Sequence, residues 1–251
     1  EELDVSSCIN ETSEKLISHL NYKSIETNKY LICFTPEAFL QLISAFSSMF
    51  NARSIIDGLS LMNEESIGDQ IAVPNLNISD EGLHPENVGA FSFDGEGTPT
   101  QNINLITNGV LTHLLHSEAT ARKFGVEPTG HAGLGAKVSV SPDWLVVSKS
   151  EAVKDKDESL SIKNTRSEYI LIDELSAIHS GVKASQGSFS LPFDGWIVND
   201  GKKTSIEAAT VAGDILKVLS SIVKIEDEQI VTHQGISPHV WVENMSITGE
   251  A

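Results

Sequence analysis

The chain has 251 residues, of which 40 % are apolar and 21 % charged, so it is long enough to bury a core and too apolar for a disordered polymer. Seventeen basic residues against 35 acidic ones give a formal net charge of −18, which argues against direct nucleic-acid binding and disfavours an anionic membrane surface. Cys8 and Cys33 are too few for a disulfide framework, which points to a reducing, cytoplasmic compartment. No run of about 20 apolar residues is present to span a bilayer. Glu1 to Asp4 show no signal-peptide pattern, and the absence of an initiator Met points to a C-terminal piece of a longer protein.

In chain order, an amphipathic segment (Leu16, Ile17, Leu20) precedes a short apolar strand, Tyr30 to Phe34. A helix start follows: Thr35 as cap, Pro36 at the first helical position and Glu37 complementing the dipole. Phe39, Leu40, Ile43, Phe46 and Phe50 then recur at helical spacing and predict a buried face. Residues 51 to 100 are rich in Gly and Pro and read as short strands and long loops. Asn108-Gly109, between Ile103-Leu105-Ile106 and Val110-Leu111, predicts a β-hairpin, because its tight turn needs positive φ at both central residues.

Ser117 predicts the cap of a two-turn helix that ends at Gly125, and a glycine-rich loop occupies 126 to 142. Trp144 to Val147 and Tyr169 to Ile172 read as buried strands, and the charged run Lys149 to Lys156 between them as a solvated loop. A short helix is expected from Asp173 to Gly181, and a second hairpin at Asn199-Asp200-Gly201. A longer helix is expected over 208 to 223, on the stripe Val211, Ile215, Val218, Leu219 and Ile222. Val240, Val242, Met245 and Ile247 predict a closing strand. Strands and helices without βαβ regularity define an α+β class, mainly antiparallel sheet with hairpins and a few packed helices.

Complete catalytic motifs are missing. No His precedes a Glu as a zinc-peptidase helix requires, and no nucleophile elbow or phosphate loop is present. His113 and His116 lie on the second hairpin strand and point to opposite faces, so they do not share a metal. Cys33 sits in an apolar strand and reads as a buried, inert thiol. Two loops remain as candidates. Asp94-Gly95-Glu96-Gly97 is either a tight turn or a cation- or amine-binding site. Pro128 to Gly135 carries three glycines that let a backbone lie close to an extended peptide, with His131 either in that cleft or hydrogen-bonded within the loop.

The run Asp94-Gly95-Glu96-Gly97-Thr98-Pro99-Thr100-Gln101, followed by Leu105-Ile106, Asn108 to Leu111, Thr120-Ala121 and Thr129-Gly130-His131-Ala132, resembles the TldD/PmbA family, once called modulators of DNA gyrase. Gly187 to Ser190, Gly195, Ala212-Gly213 and Pro238 extend the resemblance from about Tyr30 to Gly249. It implies a C-terminal domain over 30–251, preceded by a lead-in segment, 1–29, that ends a missing N-terminal domain. It also implies a two-subunit peptidase that trims unfolded or extended peptides. One subunit, TldD, holds zinc on an H-E-x-x-x-H helix with a distant Cys; the other, TldE or PmbA, lacks those ligands. Here the helix region reads Phe39 to Phe50 without His or Glu, and the region of the expected Cys reads Val231-Thr232-His233-Gln234-Gly235.

The resemblance therefore implies a non-catalytic, TldE-like subunit with no metal or other cofactor of its own, zinc being expected in a TldD-like partner. Asp94, Gly95, Glu96, Gly97, Thr98, Gln101, Thr129, Gly130 and His131 are the expected peptide-binding residues. The alternative is a homodimeric peptide-binding or scaffold protein without a peptidase role.

Overall fold

In the computed structural model, which describes residues 4–151 and 168–249, the apolar run Leu31-Ile32-Cys33-Phe34 ends strand β2 (Asn28–Phe34). Its side chains alternate between two buried faces: Ile32 and Phe34 enter the main core, while Leu31 and Cys33 join Leu171, Trp196, Val198 and Trp241 on the opposite face. A strand covered on both sides has no reason to alternate polar with apolar, which explains the continuous run.

β2 pairs with β9 (Glu168–Leu175) in parallel and with β15 (Gly235–Gly249) antiparallel. β11 (Ser188–Asn199) pairs through its second half with β9 and through its first half with β13 (Ala209–Asp214). β13 in turn pairs with the end of β15. The order β2–β9–β11–β13–β15–β2 is thus a ring, a closed five-stranded barrel with no free edge along that path. Helix α2 (Pro36–Ala45) packs on this system with Phe39, Leu40, Leu42 and Ile43 buried. Its start is as expected: the Thr35 hydroxyl accepts from Ala38 N at 3.2 Å, and Pro36 occupies the first turn.

β15 also carries an arm. Its first half pairs with β14 (Ile222–Val231) and, at Gly235-Ile236, with β8 (Leu145–Lys149). β8 leads antiparallel to β3 (Leu76–Glu81), β4 (Asn102–Thr107) and β5 (Val110–Leu111). The end of β3 and the starts of β4 and β8 therefore lie together, and the loops joining them meet at that end of the arm.

The hairpins form as expected, with φ of +52° and +77° at Asn108 and Gly109 and +50° and +80° at Asp200 and Gly201. Helix α4 (Glu118–Phe124) is capped by Ser117 and stops at the left-handed Gly125. His113 is exposed and His116 buried, but β5 ends at Leu111, so the two lie beyond the hairpin strand on which they were expected to alternate. Among the described residues most strand pairs are antiparallel and three are parallel, and the mixture of helices and strands fits a mixed α/β class.

Two helix expectations are corrected. Residues 208–223 hold β13, a helix at Ile215–Ser220 and the start of β14. The stripe mixes periods: Ile215, Val218 and Leu219 have helical spacing, whereas Val211 faces the core of a strand bonded on both edges. Asp214 marks the change, its carboxylate accepting from Lys217 N as helix cap. Similarly, Asp173 and Glu174 belong to β9, Glu174 pairing with Asp194, and only Ile178–Gly181 is helical. Most of the charged run from Lys149 to Lys156 falls outside the described residues.

Candidate functional site

Loop 94–101 folds around Asp94. One carboxylate oxygen accepts from the amides of Glu96 and Thr98, both at 2.9 Å, and the other accepts from Ala132 N at 2.9 Å. Gly95 N donates to Ala132 O at 2.7 Å, so two bonds tie this loop to the loop after α4. The glycines follow from that contact. A Cβ on Gly130, at φ +75°, would lie 2.2 Å from Pro99 O, and one on Gly95 would lie 2.8 Å from Ala132 O.

Further bonds complete the junction. Glu96 accepts from Glu118 N at 2.8 Å at the start of α4, Gln101 donates to Pro128 O at 2.9 Å, and the Thr129 hydroxyl accepts from His116 N at 2.9 Å. The structure thus brings Asp94 to Thr98, Gln101 and Thr129 to His131 into one patch. The Asp94 and Glu96 carboxylates are engaged there with backbone amides.

Beneath the patch lies an acidic floor. Asp80 is fully buried at the inward end of β3, where its oxygens accept from Asp143 N (2.8 Å) and Trp144 N (3.1 Å). His131, also buried, sets Nδ1 3.0 Å from the Thr129 hydroxyl and Nε2 3.6 Å from an Asp80 oxygen. The latter distance is an ion contact, too long for a hydrogen bond. Burial by itself lowers the His131 pKa, but the Asp80 carboxylate, reinforced by Asp143 and the Thr129 contact, outweighs it and holds the ring above its ordinary value. Asp143 is raised, by burial first and then by Asp80 and Asp94, with His131 opposing. His116 is lowered by burial and packs edge-on against Phe124.

Asp80 and Asp143 escape any motif search. The signal for Asp80 is its place in the alternation Leu76-Ile78-Asp80, a charge at an inward position of a strand. Asp143 has no such mark, since its role depends on a loop meeting β3 from 63 residues away.

A second locus is the pair of segments that the family resemblance marks for the zinc ligands of a TldD-type subunit. The turn 231–235 does reach α2: His233 Nδ1 lies 3.4 Å from Glu37 Oε1. These are only two donors, and His233 is largely exposed. The next turn of α2 holds Phe39, Leu40, Gln41, Leu42 and Ile43, all buried, with Gln41 Oε1 accepting from Leu175 N at 2.8 Å. Among the described residues no three His, Cys, Asp or Glu side chains converge as a metal site. A tetrahedral zinc needs at least three protein ligands, so the residues present do not fit one.

A closed barrel with an arm of strands, and glycine-rich loops clasped over an acidic floor, define a mixed α/β domain built around a surface cleft. Residues 27–249 match the family described as the PmbA/TldA metallopeptidase C-terminal domain, and the chain belongs to that family. It is similar to the PmbA metalloprotease of Escherichia coli O157:H7, 24 % identical over 240 residues, covering 95 % of this chain and 50 % of that protein. A metalloprotease PmbA homolog of Haemophilus influenzae is 22 % identical, covering 94 % and 50 %. The chain thus spans about half the length of the curated relatives it matches.

Among solved structures, a Thermotoga maritima protein described as a candidate modulator of a DNA gyrase is 30 % identical with a TM-score of 0.82, covering 94 % of this chain and 53 % of that one. TldE from Thermococcus kodakarensis has the same fold at a TM-score of 0.82 and 22 % identity, covering 99 % and 56 %. No helix of the described residues is long and apolar enough to cross a membrane.

Proposed function

We propose that this chain is the peptide-guiding, non-catalytic part of a subunit in a TldD/TldE-type zinc peptidase complex that acts on unfolded or extended peptides in the cytoplasm. The observation that carries the reading is the content of α2. Where a zinc subunit would present His and Glu, this helix buries Phe39, Leu40, Gln41 and Leu42, and the turn that reaches it offers His233 instead of Cys. Family membership and the TldE-like fold support the pairing with a zinc-bearing, TldD-like partner. The loop pair 94–101 and 129–134 supplies backbone groups beside a cavity, a setting suited to a peptide held by β-type bonds. A net charge of −18 argues against nucleic acid as the ligand.

The test uses the full-length protein with an unstructured peptide, alone and with a zinc-bearing TldD-type partner, each with and without chelator, alongside metal analysis. The expected result is a metal-free protein, inert alone, whose mixture with the partner cleaves until chelator is added. Stoichiometric zinc in this protein, or cleavage by it alone, overturns the reading. A mixture that neither associates nor cleaves points to the homodimeric binding or scaffold role.

A further inference from the structure

Between the two clasped loops lies a cavity of about 350 Å³. Its floor includes buried His131, exposed Asp143 stands at its edge, and its rim is aromatic and aliphatic: Phe91 is 77 %, Phe93 65 % and Leu134 72 % exposed. Large apolar side chains held so open, around a polar floor, are characteristic of a ligand mouth.

The floor is specific in charge. Asp94 accepts three backbone amides, and Asp80 accepts two and faces His131. Asp143 differs. Its amide is bonded to Asp80 and it stands exposed beside Gly82; among the described residues its carboxylate makes no hydrogen bond or salt bridge, the His131 ring acting on it only through its charge. Buried His131 also leaves Nε2 without a hydrogen bond. The cavity thus holds one uncommitted carboxylate among neighbours whose net charge is negative. Its pKa is raised by partial burial first and then by the Asp80 and Asp94 charges, against the opposing pull of His131.

We propose that this cavity is a subsite for one basic side chain, lysine or arginine, of an extended peptide, and that Asp143 reads its charge. The inference rests on the peptide-binding reading above and specifies the residue class that one part of the cleft selects. A basic side chain matches both halves of the cavity: its methylene stem and cationic head lie along Phe91 and Phe93, and the head reaches Asp143. A peptide amino terminus has no such stem to cover the rim. A metal ion does not match, because Asp80 and Asp94 already spend their oxygens on amides and no three-ligand group converges among the described residues.

The test is fluorescence anisotropy with the full-length protein and a labelled ten-residue unstructured peptide carrying a central arginine, its neutral isostere citrulline, or glutamate. Wild type is expected to bind the arginine peptide several-fold tighter than the citrulline peptide, as for an ion pair with an exposed carboxylate. Asp143→Asn weakens the arginine peptide more than the citrulline peptide and so closes that gap, and Asp143→Lys turns the preference toward glutamate. Phe91→Ala, at an exposed position, weakens the arginine peptide several-fold while folding is preserved. Equal affinity of wild type for arginine and citrulline peptides, or an equal loss for both in Asp143→Asn, overturns the subsite and leaves peptide binding standing. If wild type binds none of the three peptides, peptide binding itself fails, and the subsite with it.

Discussion

Asp80 sits at zero exposure, and among the described residues two amide donors and the His131 ring compensate its burial. Removing one partner of a buried pair strands the other, so Asp80→Ala is expected to cost about 3–5 kcal/mol in denaturant unfolding. The milder Asp80→Asn isolates the charge. Without the carboxylate, burial dominates at His131, and its pKa falls below the ordinary value of about 6.5. In wild type the folded-state pKa is raised, so the pair's contribution is complete below the unfolded pKa and is lost as pH rises through the folded one. The stability gap between wild type and Asp80→Asn should therefore be wider at pH 6 than at pH 8.5. Ring-proton NMR of His131 reads the titration directly, and a wild-type midpoint below 6.5 contradicts the ion pair. The glycines offer a second residue-scale contrast. Gly97 has φ +84° with nothing within 4 Å of an added Cβ, so Gly97→Ala costs about 1 kcal/mol of backbone strain. Gly130→Ala adds a collision with Pro99 O and should cost well more, visible as a larger drop in denaturation midpoint.

At the scale of elements, α2 rests on a polar residue in an apolar helix. Gln41 satisfies the buried amide at the end of β9, and Gln41→Leu keeps the volume but orphans that amide, for an expected loss of about 1–3 kcal/mol. An unchanged unfolding midpoint would show that the amide finds another acceptor. Elements whose cause is local were legible in the sequence: the Thr35 cap with Pro36, the Ser117 to Gly125 helix and both positive-φ hairpins. What stayed hidden is set by distant pairing. The strand Ala209–Asp214 exists because β11 and β15 bond it on both edges, and nothing within 208–223 announces those neighbours. The barrel is hidden for the same reason, since β11 and β15 each serve two barrel neighbours on different parts of their length. In the candidate site the glycine and Asp94 loops stood out by composition, whereas Asp80 and Asp143 acquire meaning only when β3 meets β8.

At the scale of the whole molecule, charge imbalance sets the response to salt. The chain carries 35 acidic and 17 basic residues, so carboxylates outnumber the cations available to pair with them. The Lys and Arg ion pairs among the described residues, such as Arg53–Asp57, Arg122–Glu118 and Lys123–Glu64, are all partly or largely exposed. Pairs of that kind contribute about 0–1 kcal/mol each and weaken with salt. Self-repulsion at −18 is long-ranged and also weakens with salt, as the Debye length shrinks from about 30 Å at 0.01 M to about 8 Å at 0.15 M. The two effects have opposite signs, so one titration decides between them. Because unfavourable acid–acid terms outnumber the few weak pairs, the urea midpoint at pH 7 should rise between 0.01 M and 0.15 M NaCl. Urea is uncharged and leaves the ionic strength under control, which guanidinium does not. A midpoint that falls with added NaCl would mean that local pairs outweigh the global field. The same screening acts inside the acidic cavity, where the preference for an arginine over a citrulline peptide should shrink over that salt range as overall stability grows.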